Sequence, residues 1–442
     1  MTGPLANPSF RTLFAAQVCS LVAVGLLTVA LSLAAWRIGG DAAAGRILGL
    51  ILALKMVAYV GLAPLAETFF AGRPRKRVMI GLDLGRMALL VPMAFATTTW
   101  QLGLLAFVFF ALSAGFTPLF QSVIPDLLPD DDSYARGLAW SRVAYTLESV
   151  SSPVIAAAAL SLIAPSQLFL LAALAFVGSV AALRATRVPP HGEGARKGPF
   201  LRRALRGLWI YHRTPRLRGL FLLNLALSLA MAWVLVNTVV FAGQVLGDAE
   251  GSYPVLMAAY GVGAALAAFA VPRLVARSGE RDVMLGGVLA FAATGAVLAT
   301  VPLPPTLPAL LPVWFAFGAA SSAVLTPGGL VITRSAARSD RPAVFAAQFS
   351  LSHAGWLLAY PLAGWLGSAL PLATALGLLS AGAVAVALLA ALVWPADDRL
   401  ERAHSHPDLP ADHPHLREHG ARDHVHAYRI DDLHPRWRPD GA

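Results

Sequence analysis

RATRVPPHGEGARKGPFLRRALRGLWIYHRTPRLR, residues 184–218, decides how this chain is read. It holds Arg184, Arg187, Arg196, Lys197, Arg202, Arg203, Arg206, Arg213, Arg216 and Arg218 against one acid, Glu193. Nearly unbroken apolar sequence flanks it on both sides. So basic a run does not enter hydrocarbon, and between membrane spans it reads as a cytosolic loop. It cuts the chain into two apolar halves of similar length, the anatomy of a two-repeat transporter. A nucleic-acid patch is the competing reading, and it is set aside because spans crowd both ends.

Composition agrees. The chain is 57% hydrophobic and 13% charged, against about 25% charged for an average soluble domain. The net charge of +10 is then a topology signal carried by short loops. One cysteine, Cys19, excludes an internal disulfide and a Cys-rich metal site. Apolar sequence from Leu13 to Ala35 exceeds a signal-peptide core and is expected to be an uncleaved first span.

About 20 apolar residues cross a bilayer as a helix. Windows of that kind fall at 12–36, 47–70, 78–98, 101–124, 137–163, 167–185, 219–242, 253–276, 283–300, 307–332, 343–367 and 371–394. The expected fold is all-α, with twelve transmembrane helices in two pseudo-symmetric six-helix bundles. The domains are an N-terminal bundle (1–185), a basic cytosolic connector (186–218), a C-terminal bundle (219–395) and a tail (396–442). One side collects Arg73, Arg75, Lys76, Arg77, the connector, Arg273, Arg277, Arg281, Arg334, Arg338 and Arg341. That side, with both termini, is assigned to the cytosol. A shift of about 208 residues lays Arg73 on Arg281, Asp126 on Arg334 and Pro153 on Pro361, which is the register of a parallel six-plus-six repeat.

These features resemble the major facilitator superfamily over residues 10–395. RKRVMIGLDLGR (75–86) is similar to its loop-and-third-helix signature. PDLLPD (125–130), with ESVSSP (148–153), resembles its drug and siderophore exporters. That signature carries an Asp-Arg pair where this chain has Ala71-Gly72, and Glu67 is the candidate replacement. The resemblance implies a gating role for Arg75, Lys76, Arg77 and Asp126, and a bracing role near the gate for Asp83 and Arg86.

Ionisable residues inside spans are functional candidates by default. Lys55 reads equally as a snorkelling side chain or a transport residue. Asp83 and Arg86, three apart, can pair on one helix face. In the fifth span Arg142, Tyr145, Glu148, Ser149 and Ser152 share a face. Glu148 lies about 15 Å from the expected edge, mid-bilayer. In the eleventh, Gln348, Ser352, His353, Trp356 and Tyr360 share a face, with His353 about 16 Å deep. Glu148 and His353 are thus expected to flank a midplane cargo and proton site, with Asn224 and Asn237 as lining residues. The alternative pairs Glu148 with Arg142 and has His353 donate to a backbone carbonyl.

The tail holds eight of the chain's eleven histidines: His404, His406, His413, His415, His419, His424, His426 and His434. With little apolar content it is expected to be disordered. Imidazoles at i and i+2, with nearby carboxylates, suit a divalent transition metal. A merely solvated tail is the alternative. The tail and the stretch LKMVAY (54–59) also resemble bacterial nickel-resistance exporters.

The resulting expectation is a proton-coupled exporter of nickel or cobalt in a bacterial inner membrane. Metal is its cargo and no cofactor is needed. Its partners are lipid, metal ions and protons, without nucleic acid, and the chain acts as a monomer rather than as an enzyme. A drug or siderophore exporter is the first alternative, and a non-transporting membrane metal sensor or buffer the second. No phosphate-cradling loop occurs, which argues against direct ATP use.

Overall fold

The computed structural model describes residues 4–62, 73–128, 131–188, 200–337, 340–398, 401–406, 409–410, 413–419 and 423–437. Glu67, Ala71-Gly72 and most of the connector before Phe200 lie outside them. The chain is an all-α membrane protein of twelve spans. The first two spans form one helical run, α1 (Pro8–Val57), broken at Gly40. Spans three to six are α2 (Arg75–Ala94), α3 (Thr99–Leu127), α4 (Asp131–Leu160) and α5 (Leu168–Ala185). The connector forms α6 (Phe200–Arg213). Span seven is α7 (Pro215–Leu246), and spans eight and nine share α8 (Ala249–Thr300), broken at Gly279. Span ten is α9 (Leu307–Leu325) continued by α10 (Gly328–Ser335) after Thr326-Pro327. Spans eleven and twelve are α11 (Arg341–Ala369) and α12 (Leu372–Val393).

The sharp turns need glycine. Gly40 has φ 52° and Gly247 φ 70°, a region costly for any residue with a Cβ. They end the first and seventh spans at matching places of the repeat.

The halves meet tightly at the end remote from the connector. Tyr253 in span eight donates to Ser32 Oγ in span one at 2.9 Å. A Cβ on Gly49 would lie 2.6 Å from the Tyr360 carbonyl oxygen, and one on Gly364 would strike the Gly45 backbone. Only glycine allows spans two and eleven so close. At the connector end the first half keeps its own apolar cluster, including Phe10, Met79, Phe116, Phe120 and Leu183. No residue of the second half enters it among the described residues. The halves therefore seal against each other at the far end, while at the connector end the first half has an apolar cluster of its own among the described residues. Gly364→Val should lower the melting temperature of the solubilised protein, since overpacking costs about 1–3 kcal/mol. Unchanged stability would show that the halves do not meet there.

The tail departs from the expected disorder. β1 (Glu401–Ser405) pairs antiparallel with β2 (Asp423–Ala427), and α13 (Pro414–His419) lies between them in sequence. Aliphatic residues are scarce, but Leu416, Tyr428 and Ile430 are buried and the histidine rings pack on one another. Tyr428 and Ile430 join the main core, with Trp437 packed against it. Docking on the second half supplies the burial that a free tail would lack.

Candidate functional site

Two constellations carry the chemistry. The first lies in the middle of the spans. After Val57 the second span passes into a π-helical turn, Ala58–Leu62, a rare feature that often marks functional positions. Tyr59 in this turn packs edge-on against Phe110 at 6.4 Å and reaches across the halves to His353 at 5.7 Å between ring centroids. Lys55 Nζ lies 5.3 Å from the Phe110 centroid and 5.7 Å from that of Tyr59, positions suited to cation–π attraction. Lys55 also interacts electrostatically with both Glu148 and His353.

Glu148 sits against the first span, where Gly25 makes room for its Oε1 and for Ser152 Oγ. Ser152 is buried, and its hydroxyl has no hydrogen-bond partner among the described residues. His353 Nδ1 faces the Phe349 carbonyl oxygen at 2.7 Å. A carbonyl only accepts, so the proton is on Nδ1 and Nε2 keeps its lone pair. Tyr59 thus reaches His353 by ring contact, and Lys55 lies within electrostatic range of both Glu148 and His353, with no direct bond between Glu148 and His353 among the described residues. The Arg142 side chain lies outside those residues. Tyr145 is 42% exposed.

Other expected lining residues are engaged elsewhere. Asn237 is fully buried and donates to the Ala363 carbonyl at 3.0 Å, with its Oδ1 beside Gly45 and Gly367. It packs in the far-end seal. Asn224 donates to Leu220 O of its own helix at 2.8 Å. Gln348 accepts a hydrogen bond from Tyr211 of the connector helix. Packing across helices, which one helix's periodicity does not report, directs Asn237 and Gln348. Lys55, open in the sequence to a snorkelling or a transport role, lies against the rings of Tyr59 and Phe110.

Asp83 and Arg86 form a buried ion pair. Ser179 donates to Asp83 at 2.6 Å, and the Arg86 guanidinium lies over Phe116 at 4.3 Å and Phe176 at 4.7 Å. All these partners belong to the first half, so the pair's contacts lie within that bundle. At the connector end Arg75 pairs with Asp126. Lys76 donates to the carbonyls of Arg184 and Thr186 at 2.6 and 2.8 Å, tying span three to span six. Arg77 is exposed.

The second constellation is in the tail. The strand register sets His404 opposite His424, and residues two apart share a strand face. His426 therefore joins them, and His406, His415 and His434 close in around them. Their Nε2 atoms approach to 3.1 Å for His404–His434, His406–His434 and His415–His424, and 3.3 Å for His415–His426. Two overlapping sets, His404/His406/His415/His434 and His404/His415/His424/His426, each keep all their ligand atoms within 4.8 Å. Burial, reinforced by neighbouring imidazoles, holds His404 and His415 down at about 4, so both are neutral near pH 7. His413 instead accepts the His415 backbone N–H at 3.3 Å. The His419 side chain lies outside the described residues.

The described residues thus form a twelve-span bundle of two halves joined by the connector helix. The family model described as the Major Facilitator Superfamily matches residues 222–418. The MFS-type transporter YvqJ of Bacillus subtilis (strain 168) is 26% identical over 318 residues, covering 69% of this chain and 74% of the relative. The solved nucleoside transporter NupG superposes with TM-score 0.72 at 13% identity, covering 87% of this chain and 100% of that one. A bacterial homolog of the human lysosomal transporter Spinster, inward-facing and unoccupied, gives TM-score 0.66 at 16% identity, with 89% and 97% covered. A POT family transporter gives 0.68 at 11%, with 88% and 96% covered. The fold is that of the major facilitators, and the family-model match lies in the second half of the chain and the start of the tail.

Proposed function

We propose that this chain exports a divalent cation, nickel foremost and cobalt next, from the cytosol in exchange for protons across a bacterial inner membrane. The six-histidine cluster at the connector end of a transporter bundle carries the reading. With the connector and both termini in the cytosol, that cluster faces the compartment from which metal is to be removed. Borderline divalent cations favour imidazole. Glu148 is the midplane carboxylate able to hold a cation or a proton. Lys55 beside it supplies the exchange logic: ammonium, proton and metal compete for one carboxylate, and arrival of one releases another.

Lys55 also favours a second reading. A fixed positive charge opposes a divalent cation, while the rings of Tyr59, Phe110 and Trp356 suit an organic cargo such as a hydrophobic drug or a siderophore. Proton-driven uptake into everted vesicles separates the two. Nickel uptake without dye uptake is expected, and the reverse would overturn metal export. Reporters fused after Gly39 or Gly247 should read periplasmic, and one fused at Ala442 cytosolic. A periplasmic Ala442 would remove the tail from the cytosol and with it the basis of the metal reading.

A further inference from the structure

The tail histidines are arranged more specifically than a chelating tract requires. Taken pairwise, twelve pairs among His404, His406, His415, His424, His426 and His434 have ring centroids 4.5–5.4 Å apart. Each ring neighbours four others. The pairs without a ring contact among the described residues are His404/His415, His406/His426 and His424/His434. This is the connectivity of an octahedron, in which every vertex touches four others and stands opposite the fifth. Metal–imidazole bonds of about 2.1 Å put adjacent nitrogens about 3.0 Å apart in an octahedral shell and about 3.4 Å apart in a tetrahedral one. The four close Nε2 pairs lie at 3.1, 3.1, 3.1 and 3.3 Å.

The outer partners give an independent argument. His404 Nδ1 faces Arg402 O at 3.0 Å, His426 Nδ1 faces Ala427 O at 3.0 Å, and His434 Nδ1 faces an Asp431 carboxylate oxygen at 2.9 Å. Those acceptors hold the proton on Nδ1 and leave Nε2 bare, the arrangement usual for metal-bound histidine. His404 and His434 then point two bare lone pairs at each other across 3.1 Å. No hydrogen bond joins two acceptors, and a cation between them resolves the repulsion.

His434 also belongs to the segment that fastens the tail. Asp431 Oδ1 accepts from the backbone N–H groups of Leu433 and His434 at 2.9 and 2.7 Å. Adjacent Asp432 pairs with Arg206 of the connector helix at 2.9 Å, and Arg206 also grips Asp340 before span eleven through bonds of 2.6 and 2.9 Å. Hydrogen bonds to Asp340 first, then to Asp432, hold the Arg206 guanidinium well above its ordinary pKa. Arg213 donates to Pro435 O at 2.6 Å, and Trp437 lies under Arg216 and Arg402.

We propose that these six histidines form one octahedral centre for a single six-coordinate divalent cation, nickel or cobalt in preference to zinc, and that filling it latches the tail onto the connector helix through His434 and Asp432. Zinc settles at four ligands and copper(II) in tetragonal fields, whereas six imidazoles suit nickel and cobalt, with nickel the tighter. The inference rests on the metal reading of the tail given above and is separable from the identity of the cargo.

The test uses the full chain in detergent, stripped with a chelator and dialysed against Ni2+, Co2+ or Zn2+ alone. One nickel per chain is expected, with a weak octahedral cobalt visible spectrum and nickel bound more tightly than zinc. Asp431→Asn should weaken nickel binding about 10–100-fold, and His404→Ala at least as much. His212→Ala on the connector should leave binding unchanged. Nickel should slow tryptic cleavage after Arg436. Asp432→Ala should remove that protection while one nickel still binds. More than one ion per chain, an intense tetrahedral cobalt spectrum, or a zinc preference would overturn the centre, and nickel-independent proteolysis would overturn the latch. Nickel binding without metal flux would instead refute the export reading and leave this one standing.

Discussion

Glu148→Gln is expected to abolish proton-driven nickel uptake in everted vesicles, normalised to protein in the membrane. The substitution keeps the shape that fits beside Gly25 and Ser152. It removes a negative charge able to offset a cation, and with it a group able to exchange a proton. Lys55, the nearby cation, then loses its carboxylate partner, and its charge repels incoming metal. Lys55→Met separates the contributions: with Glu148 unopposed, metal should bind more tightly but leave more slowly, so turnover falls while apparent affinity rises. Both variants should insert normally, because neither adds a charge to the hydrocarbon. Full activity per molecule in Glu148→Gln would remove this cluster from the transport route.

The second large effect is expected on stability. Arg86→Met should strand Asp83, which is fully buried with Ser179 as its remaining side-chain hydrogen-bond partner among the described residues. Removing one member of a buried pair costs about 3–5 kcal/mol because the other charge stays uncompensated. The loss should appear as low membrane yield and a sharply reduced melting temperature. Asp83→Leu combined with Arg86→Met should recover much of the stability, since well-packed apolar residues replace such pairs at little cost. A double variant that recovers stability and transports normally assigns the pair to bracing. One that is stable yet inactive would give it a role in gating.

Composition alone decided most of the architecture. Twenty-residue apolar windows and basic loops report each segment's preference for lipid or water, a property its own residues carry. Spans one and two, separate windows in the sequence, run on as one broken helix because Gly40 absorbs the turn. The Asp83–Arg86 pair was equally legible, three positions on one helix being neighbours whatever the helix packs against. The i, i+2 histidines were legible as one strand face.

What only the tertiary structure decided is which faces meet. Asn237 and Gln348 point as helical periodicity allows, yet the far-end seal and the connector helix claim them. The π-helical turn at Ala58–Leu62 carries Tyr59 to His353, and nothing in local propensity announces it. The tail shows the same limit most plainly. Its scarcity of aliphatic residues points to disorder, and its order comes from ring packing and from docking on the second half. Six imidazoles drawn from positions 404 to 434 converge because an antiparallel register and a helix between the strands bring them together. Local composition sets what each segment prefers, whereas pairing across segments depends on shape and charge complementarity that no single segment contains.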